Sequence, residues 1–109
     1  MYEIEIEVKD NGASFELHVG DQVKVVLPEN PTTGFRWATD EYDQERLLMV
    51  SSTFQSGSSS LPGAAGLATF LFRAQRAGAS VLSLKLWRSW SGDSSITQRY
   101  RVTLSIREA

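Results

Sequence analysis

The chain has 109 residues, enough for one domain with a modest core, and its 41% hydrophobic and 22% charged residues exclude a chain too polar to fold. A formal net charge of −2 leaves no basic footprint, which argues against nucleic acid or anionic membrane surfaces as partners. Cysteine is absent, so a disulfide framework, a thiolate metal site and a cysteine nucleophile are excluded as well.

Apolar residues recur at every second position along much of the chain, which is the period of a strand and not of a helix. Tyr2, Ile4, Ile6 and Val8 alternate with Glu3, Glu5 and Glu7, and Asp10-Asn11-Gly12 then predicts a hairpin-type turn. Phe15, Leu17 and Val19 form the next alternating set. After Gly20-Asp21 comes a strand from Val23 to Leu27, closed by Pro28, and Phe35 and Trp37 lead another. The polar stretch Asp40 to Arg46 predicts a loop or one helical turn before a short strand from Leu48 to Phe54. From Gln55 to Gly66 the composition shifts to Ser, Gly, Pro and Ala, a surface connection that cannot pack a core. Leu67 to Ala74, Val81 to Trp87 and Ile96 to Ile106 complete the series. Seven or eight short strands separated by turn residues predict an all-β, immunoglobulin-like sandwich over residues 1–109, with a small closed barrel as the alternative.

The opening Met1-Tyr2-Glu3-Ile4-Glu5 has neither a basic start nor an apolar stretch of signal-peptide length, and no run is long enough to span a bilayer. A soluble protein is expected, with a cytoplasmic origin and an exported one after removal of a leader both open.

Catalytic constellations fail for want of residues. His18 is the one histidine, and it sits on the face of its strand opposite Phe15, Leu17 and Val19, where a solvated side chain is the simpler reading. No Gly-x-Ser-x-Gly elbow occurs. Glu3, Glu5 and Glu7 share one strand face, as a charged edge does. Asp10-Asn11-Gly12 begins like a calcium loop but lacks the later ligands. Neither an enzyme nor a cofactor is expected.

Loop content points elsewhere. Asn30-Pro31-Thr32-Thr33-Gly34-Phe35 joins a stiff turn to an aromatic strand: Pro31 fixes its own φ, Gly34 permits a backbone angle closed to other residues, and two β-branched threonines stand between them. Taken alone, these residues also fit an ordinary turn between strands. A second loop, Arg88-Ser89-Trp90-Ser91-Gly92, puts a tryptophan at a tip beside an arginine, which is the composition of an interface hot spot. A third carries Gly63-Ala64-Ala65-Gly66, small residues that permit close backbone approach.

Taken in chain order and at comparable spacing, these motifs resemble the chagasin family of cysteine-peptidase inhibitors, whose pattern is Asn-Pro-Thr-Thr-Gly-Phe or Tyr, a glycine-bracketed loop, and Arg-Pro-Trp with a nearby glycine. The resemblance spans essentially the whole chain. It departs at Ser89, which stands where the family often has proline, so that loop is expected to be less rigid. The resemblance implies a sandwich presenting Asn30 to Phe35, Gly63 to Gly66 and Arg88, Trp90 and Gly92 from one end. It also implies a papain-like cysteine peptidase as partner, a free monomer, and reversible occlusion of the peptidase cleft with Thr32 leading. The competing readings are a carbohydrate-binding module, which would need Trp37, Trp87 and Trp90 as a stacking platform, and an adhesion-type domain.

Overall fold

Side chains of alternating character favour a pleated, half-buried strand, because successive residues face opposite sides of a sheet. The structure, a computed structural model, describes residues 2–56 and 66–108. Over these the chain forms β1 (Glu3–Ile6), β2 (Ser14–His18), β3 (Gln22–Glu29), β4 (Arg36–Tyr42), β5 (Leu47–Gln55), β6 (Gly66–Ala74), β7 (Gly78–Trp87) and β8 (Gln98–Arg107). They make two four-stranded sheets, in the orders β1-β3-β6-β5 and β2-β8-β7-β4. Neighbours are antiparallel except β1 beside β3 and β2 beside β8, which run parallel. The result is an immunoglobulin-like sandwich and not the closed barrel, since the two sheets remain separate among the described residues.

The core lies between the sheets, where the inward halves of the alternating sets meet. Val23, Val25 and Leu27 of β3 face Leu82 and Leu84 of β7 and Tyr100, Val102, Leu104 and Ile106 of β8, all buried, with Phe70 and Phe72 of β6 filling the centre. Tyr42 meets the Phe72 ring edge-on at 5.3 Å. The Tyr100 hydroxyl donates to the Glu7 carbonyl at 2.8 Å, and burial raises its pKa well above the ordinary tyrosine value.

Some local expectations are corrected. The first strand ends at Ile6, and Val8 is exposed in a 3-10 turn, Val8–Asp10, whose entry is held by the Asp10 carboxylate accepting the Glu7 N–H at 2.8 Å. Asp10-Asn11-Gly12 makes no hairpin, because β1 and β2 belong to different sheets. The bend crosses the sandwich and is pinned to β8 by Gly12 N–H donating to the Arg101 carbonyl at 2.7 Å and Arg101 N–H donating to Asn11 Oδ1 at 2.9 Å. Turn chemistry reports that a chain bends, not which strand it meets next. The polar stretch from Asp40 is strand as far as Tyr42, with an irregularity between Thr39 and Glu41. The Asp43 carboxylate then closes the turn by accepting the N–H groups of Glu45 at 2.9 Å and Arg46 at 3.3 Å.

His18 lies at the end of β2, its side chain exposed and 3.8 Å from the Asp21 carboxylate. Among the described residues no helix is long and apolar enough to cross a membrane.

Candidate functional site

Strand pairing gathers the loops. The 30–35 connection joins β3 to β4, the 56–65 connection joins β5 to β6, and the 88–97 connection joins β7 to β8. Glu29 at the end of β3 pairs with Gly66 at the start of β6, and Arg36 at the start of β4 pairs with Trp87 at the end of β7. All three connections therefore leave from one end of the sandwich. His18 pairs with Arg107 near the C-terminal end of β8, away from them.

The 30–35 loop is knotted by its own side chains. Asn30 Oδ1 accepts both the N–H of Thr32 at 3.1 Å and its hydroxyl at 2.7 Å. The Thr33 hydroxyl donates to the Asn30 carbonyl at 2.8 Å and accepts the Phe35 N–H at 3.2 Å. Asn30 thus caps the 3-10 turn Pro31–Thr33 in the way that short polar side chains compete for local backbone donors. Gly34 then turns the chain at φ +79°, in the left-handed region. The outcome is an exposed Thr32-Thr33 apex on a short, internally bonded loop.

Beneath the apex, Glu29 fixes where the loop re-enters the sheet. Its carboxylate is buried, accepts the Trp37 N–H at 2.6 Å and faces Arg36 Nε at 3.7 Å, while the Trp37 indole N–H donates to the Pro28 carbonyl at 2.9 Å. Sequence reading passed over Glu29, although its signal was there: it stands in phase with Val23, Val25 and Leu27, which places a carboxylate on the inward face.

The 88–92 loop leans on the first one. Arg88 donates from Nε and Nη2 to the Thr33 carbonyl at 3.2 and 2.9 Å, and its guanidinium lies 4.2 Å over the Phe35 ring. A Cβ built on Gly34 would stand 2.9 Å from Trp90 Cη2, so the indole edge occupies the space a side chain would need. Trp90 is otherwise open to solvent at 72% exposure. Ser95 closes the loop from below: its hydroxyl accepts the Arg88 N–H at 2.9 Å and bridges to the carbonyls of Arg88 and Gly92 at 2.9 and 2.6 Å. Gly92 sits at φ +70° between the two halves of the 3-10 segment Ser89–Ser95. The Ser95 hydroxyl thus ties Arg88 to Gly92 across the loop, a role the sequence did not disclose.

Of the third motif, Gly63, Ala64 and Ala65 lie outside the described residues. Gly66 is buried in β6, and a Cβ on it would meet the Gln55 carbonyl and the Phe54 ring, each at 2.5 Å. Its close approach is thus to this chain's own strand β5.

The tryptophans do not form a platform. Trp37 is buried in the core, Trp87 is half-buried with the Lys85 ammonium 3.7 Å over its ring, and Trp90 alone stands free at the tip. Among the described residues no group of three or more His, Cys, Asp or Glu is placed to hold a metal ion. Among the described residues the loop end carries no nucleophile paired with a base, so its chemistry there is that of a rigid, desolvatable surface.

Comparison with known proteins agrees with this geometry. The family profile for Chagasin family peptidase inhibitor I42 matches residues 16–104. Chagasin from Trypanosoma cruzi is 36% identical over 98 residues, covering 86% of this chain and 89% of the relative. Among solved structures, the cysteine protease inhibitor EhICP2 from Entamoeba histolytica superposes with a TM-score of 0.89 at 18% identity, covering 97% of this chain and 96% of its own. PbICP-C, solved in complex with falcipain-2, gives 0.73 at 11% identity, covering 98% and 100%. The structural likenesses speak for the fold, and the profile and the 36% identity speak for descent. With its sandwich, its Asn-Pro-Thr-Thr-Gly-Phe loop and its Arg88–Trp90 loop at one end, this chain belongs to the chagasin family of peptidase inhibitors.

Proposed function

We propose that this chain is a reversible inhibitor of papain-like cysteine peptidases that occludes the active-site cleft with the 30–35 loop, flanked by the 63–66 and 88–92 loops. The observation that carries this reading is the Thr32-Thr33 apex, exposed yet already ordered by the Asn30 carboxamide and the Thr33 hydroxyl. A loop ordered before binding loses little conformational freedom when it docks, so more of its contact energy remains as affinity. Membership of the family supports the class of target, as does the complex of its structural neighbour PbICP-C with falcipain-2.

In this reading Thr32 leads into the cleft and covers the catalytic cysteine. Trp90, the most exposed large apolar side chain at this end among the described residues, is buried against aromatic or aliphatic residues of one cleft wall. No bond is made or broken, because the loops offer occlusion and no activated nucleophile. Domain 1–109 acts as a single unit and is a monomer when free.

Titration of papain with the purified chain, following cleavage of a fluorogenic peptide, tests the reading. Saturable inhibition that reverses on dilution is expected, and undiminished cleavage at micromolar inhibitor would refute it.

A further inference from the structure

A peptide loop placed across a cysteine peptidase would ordinarily be a substrate. Cleavage begins when the thiolate sulfur attacks the carbonyl carbon and the carbonyl oxygen swings into the peptidase's oxyanion donors. The carbon–nitrogen bond then breaks, the departing amine takes the imidazolium proton, and water hydrolyses the thioester to restore the thiol. Every bond in the apex of this loop must resist that sequence.

The Asn30 knot guards the first of them. The Thr33 N–H, the leaving nitrogen of the Thr32–Thr33 bond, donates to the Asn30 carbonyl at 3.2 Å, so the extended geometry needed for attack would undo the 3-10 turn. The Thr33–Gly34 bond has a different guard, since its carbonyl oxygen is held by the two Arg88 donors. That fork is itself braced: the guanidinium rests on Phe35, the Arg88 backbone is tied to Ser95, and Trp90 covers the Gly34 face.

Resting on the inhibitor reading above, we propose that Arg88 is a positioning residue that keeps the 30–35 loop from becoming a substrate, by holding the Thr33 carbonyl oxygen away from the oxyanion donors of the peptidase. Attack at Thr33 requires both N–H···O contacts to break before the oxygen can turn. Bidentate hydrogen bonds from a charged donor are among the stronger local restraints available to an exposed loop. Arg88 therefore acts through the loop, whichever peptidase residues its remaining surface meets.

The test is prolonged incubation of papain with the parent chain, Arg88→Ala and Arg88→Lys, with inhibition followed over time and the products read by denaturing mass spectrometry. The parent stays intact and inhibitory. Arg88→Ala binds more weakly, since Arg88 also belongs to the binding loop, but at saturating concentration it inhibits at first and then loses inhibition as fragments 1–33 and 34–109 appear, their masses summing to that of the variant plus one water. The cut should be at least about tenfold faster than in the parent, as expected for losing a hydrogen bond to a charged group. Arg88→Lys keeps the charge but not the fork and should fall between the two; it also serves if the alanine variant folds poorly, as thermal melts without peptidase would reveal. Both variants remaining intact, or cleavage at bonds other than Thr33–Gly34, would overturn the proposal. A parent chain that never inhibits would instead overturn the inhibitor reading itself.

Discussion

Gly34→Ala isolates the feature on which the two loops depend. The substitution adds one methyl group at a residue with φ +79°, where an L side chain costs about 1–2 kcal/mol relative to glycine. The methyl would also stand 2.9 Å from Trp90 Cη2, 3.2 Å from Cζ2 and 3.5 Å from Arg88 Nε. An ordinary carbon–carbon contact is about 3.5–4.0 Å, so the ring must retreat by roughly 0.6–1 Å. Trp90 is 72% exposed and can retreat without disturbing the core, which confines the damage to the loop end. Two routes remain open to the variant. If the loop keeps its shape, the strain appears as stability, and a loss of about 1–2 kcal/mol lowers the melting temperature by roughly 4–16 °C in a domain of this size. If the loop relaxes, the strain appears in binding, and displacement of Trp90 and Arg88 raises the inhibition constant by about 10- to 100-fold. Calorimetric melts and papain inhibition constants measured on the same preparation add up both contributions. A variant that melts with the parent and inhibits as tightly would refute the reasoning.

Further outcomes follow from the same geometry. Trp90→Ala should weaken papain inhibition by about 2 kcal/mol or more while leaving the melt unchanged, because the ring is exposed in the free chain; an unfolded variant or an unaltered inhibition constant would contradict this. Glu29→Ala leaves the Trp37 N–H without its acceptor and should cost about 1–3 kcal/mol in urea unfolding, whereas Glu29→Gln, which keeps an acceptor, should cost much less. Asp21 accepts the N–H groups of His18 at 2.8 Å and Tyr2 at 3.1 Å, and the His18 bond above all holds its carboxyl below the usual aspartate range. Its stabilising contribution is therefore full above the unfolded pKa and is lost as pH falls through the lower folded value. The stability gap between the parent and Asp21→Asn should thus be full near neutrality, begin to narrow only below about pH 4 and close as pH falls through the lower folded value, as pH-dependent unfolding curves would record.

Much of the sandwich was legible because burial and alternation coincide. In β8, Tyr100, Val102, Leu104 and Ile106 alternate with Arg99, Arg101, Thr103 and Arg107, and the structure buries the first set and exposes the second. In β5, where Leu48, Met49 and Val50 all stand exposed on an edge strand with an irregular register between Met49 and Ser51, the apolar run carried no such phase information. Partner choice was equally hidden. Asp10-Asn11-Gly12 says that the chain bends, but the parallel pairing of β1 with β3 is decided by long-range packing that no local motif encodes. At the loop end, the motifs named the residues, while their interactions needed coordinates. Asn30 and Gly34 announced a rigid turn, yet the reach of Arg88 to Thr33 and the seating of Trp90 on Gly34 join positions far apart in sequence, and no motif announced the local Ser95 bridge. Arg88 and Trp90 were legible as candidate interface residues; that they also brace the neighbouring loop was not.

A crystal structure of the chain bound to a papain-like peptidase is the most direct test of the proposed inhibition. It should contain Thr32 nearest the catalytic cysteine with no covalent bond to it, the Arg88 fork still on the Thr33 carbonyl, and Trp90 buried against a cleft wall. A complex in which the 30–35 loop faces solvent, or in which the chain sits away from the active-site cleft, would contradict it.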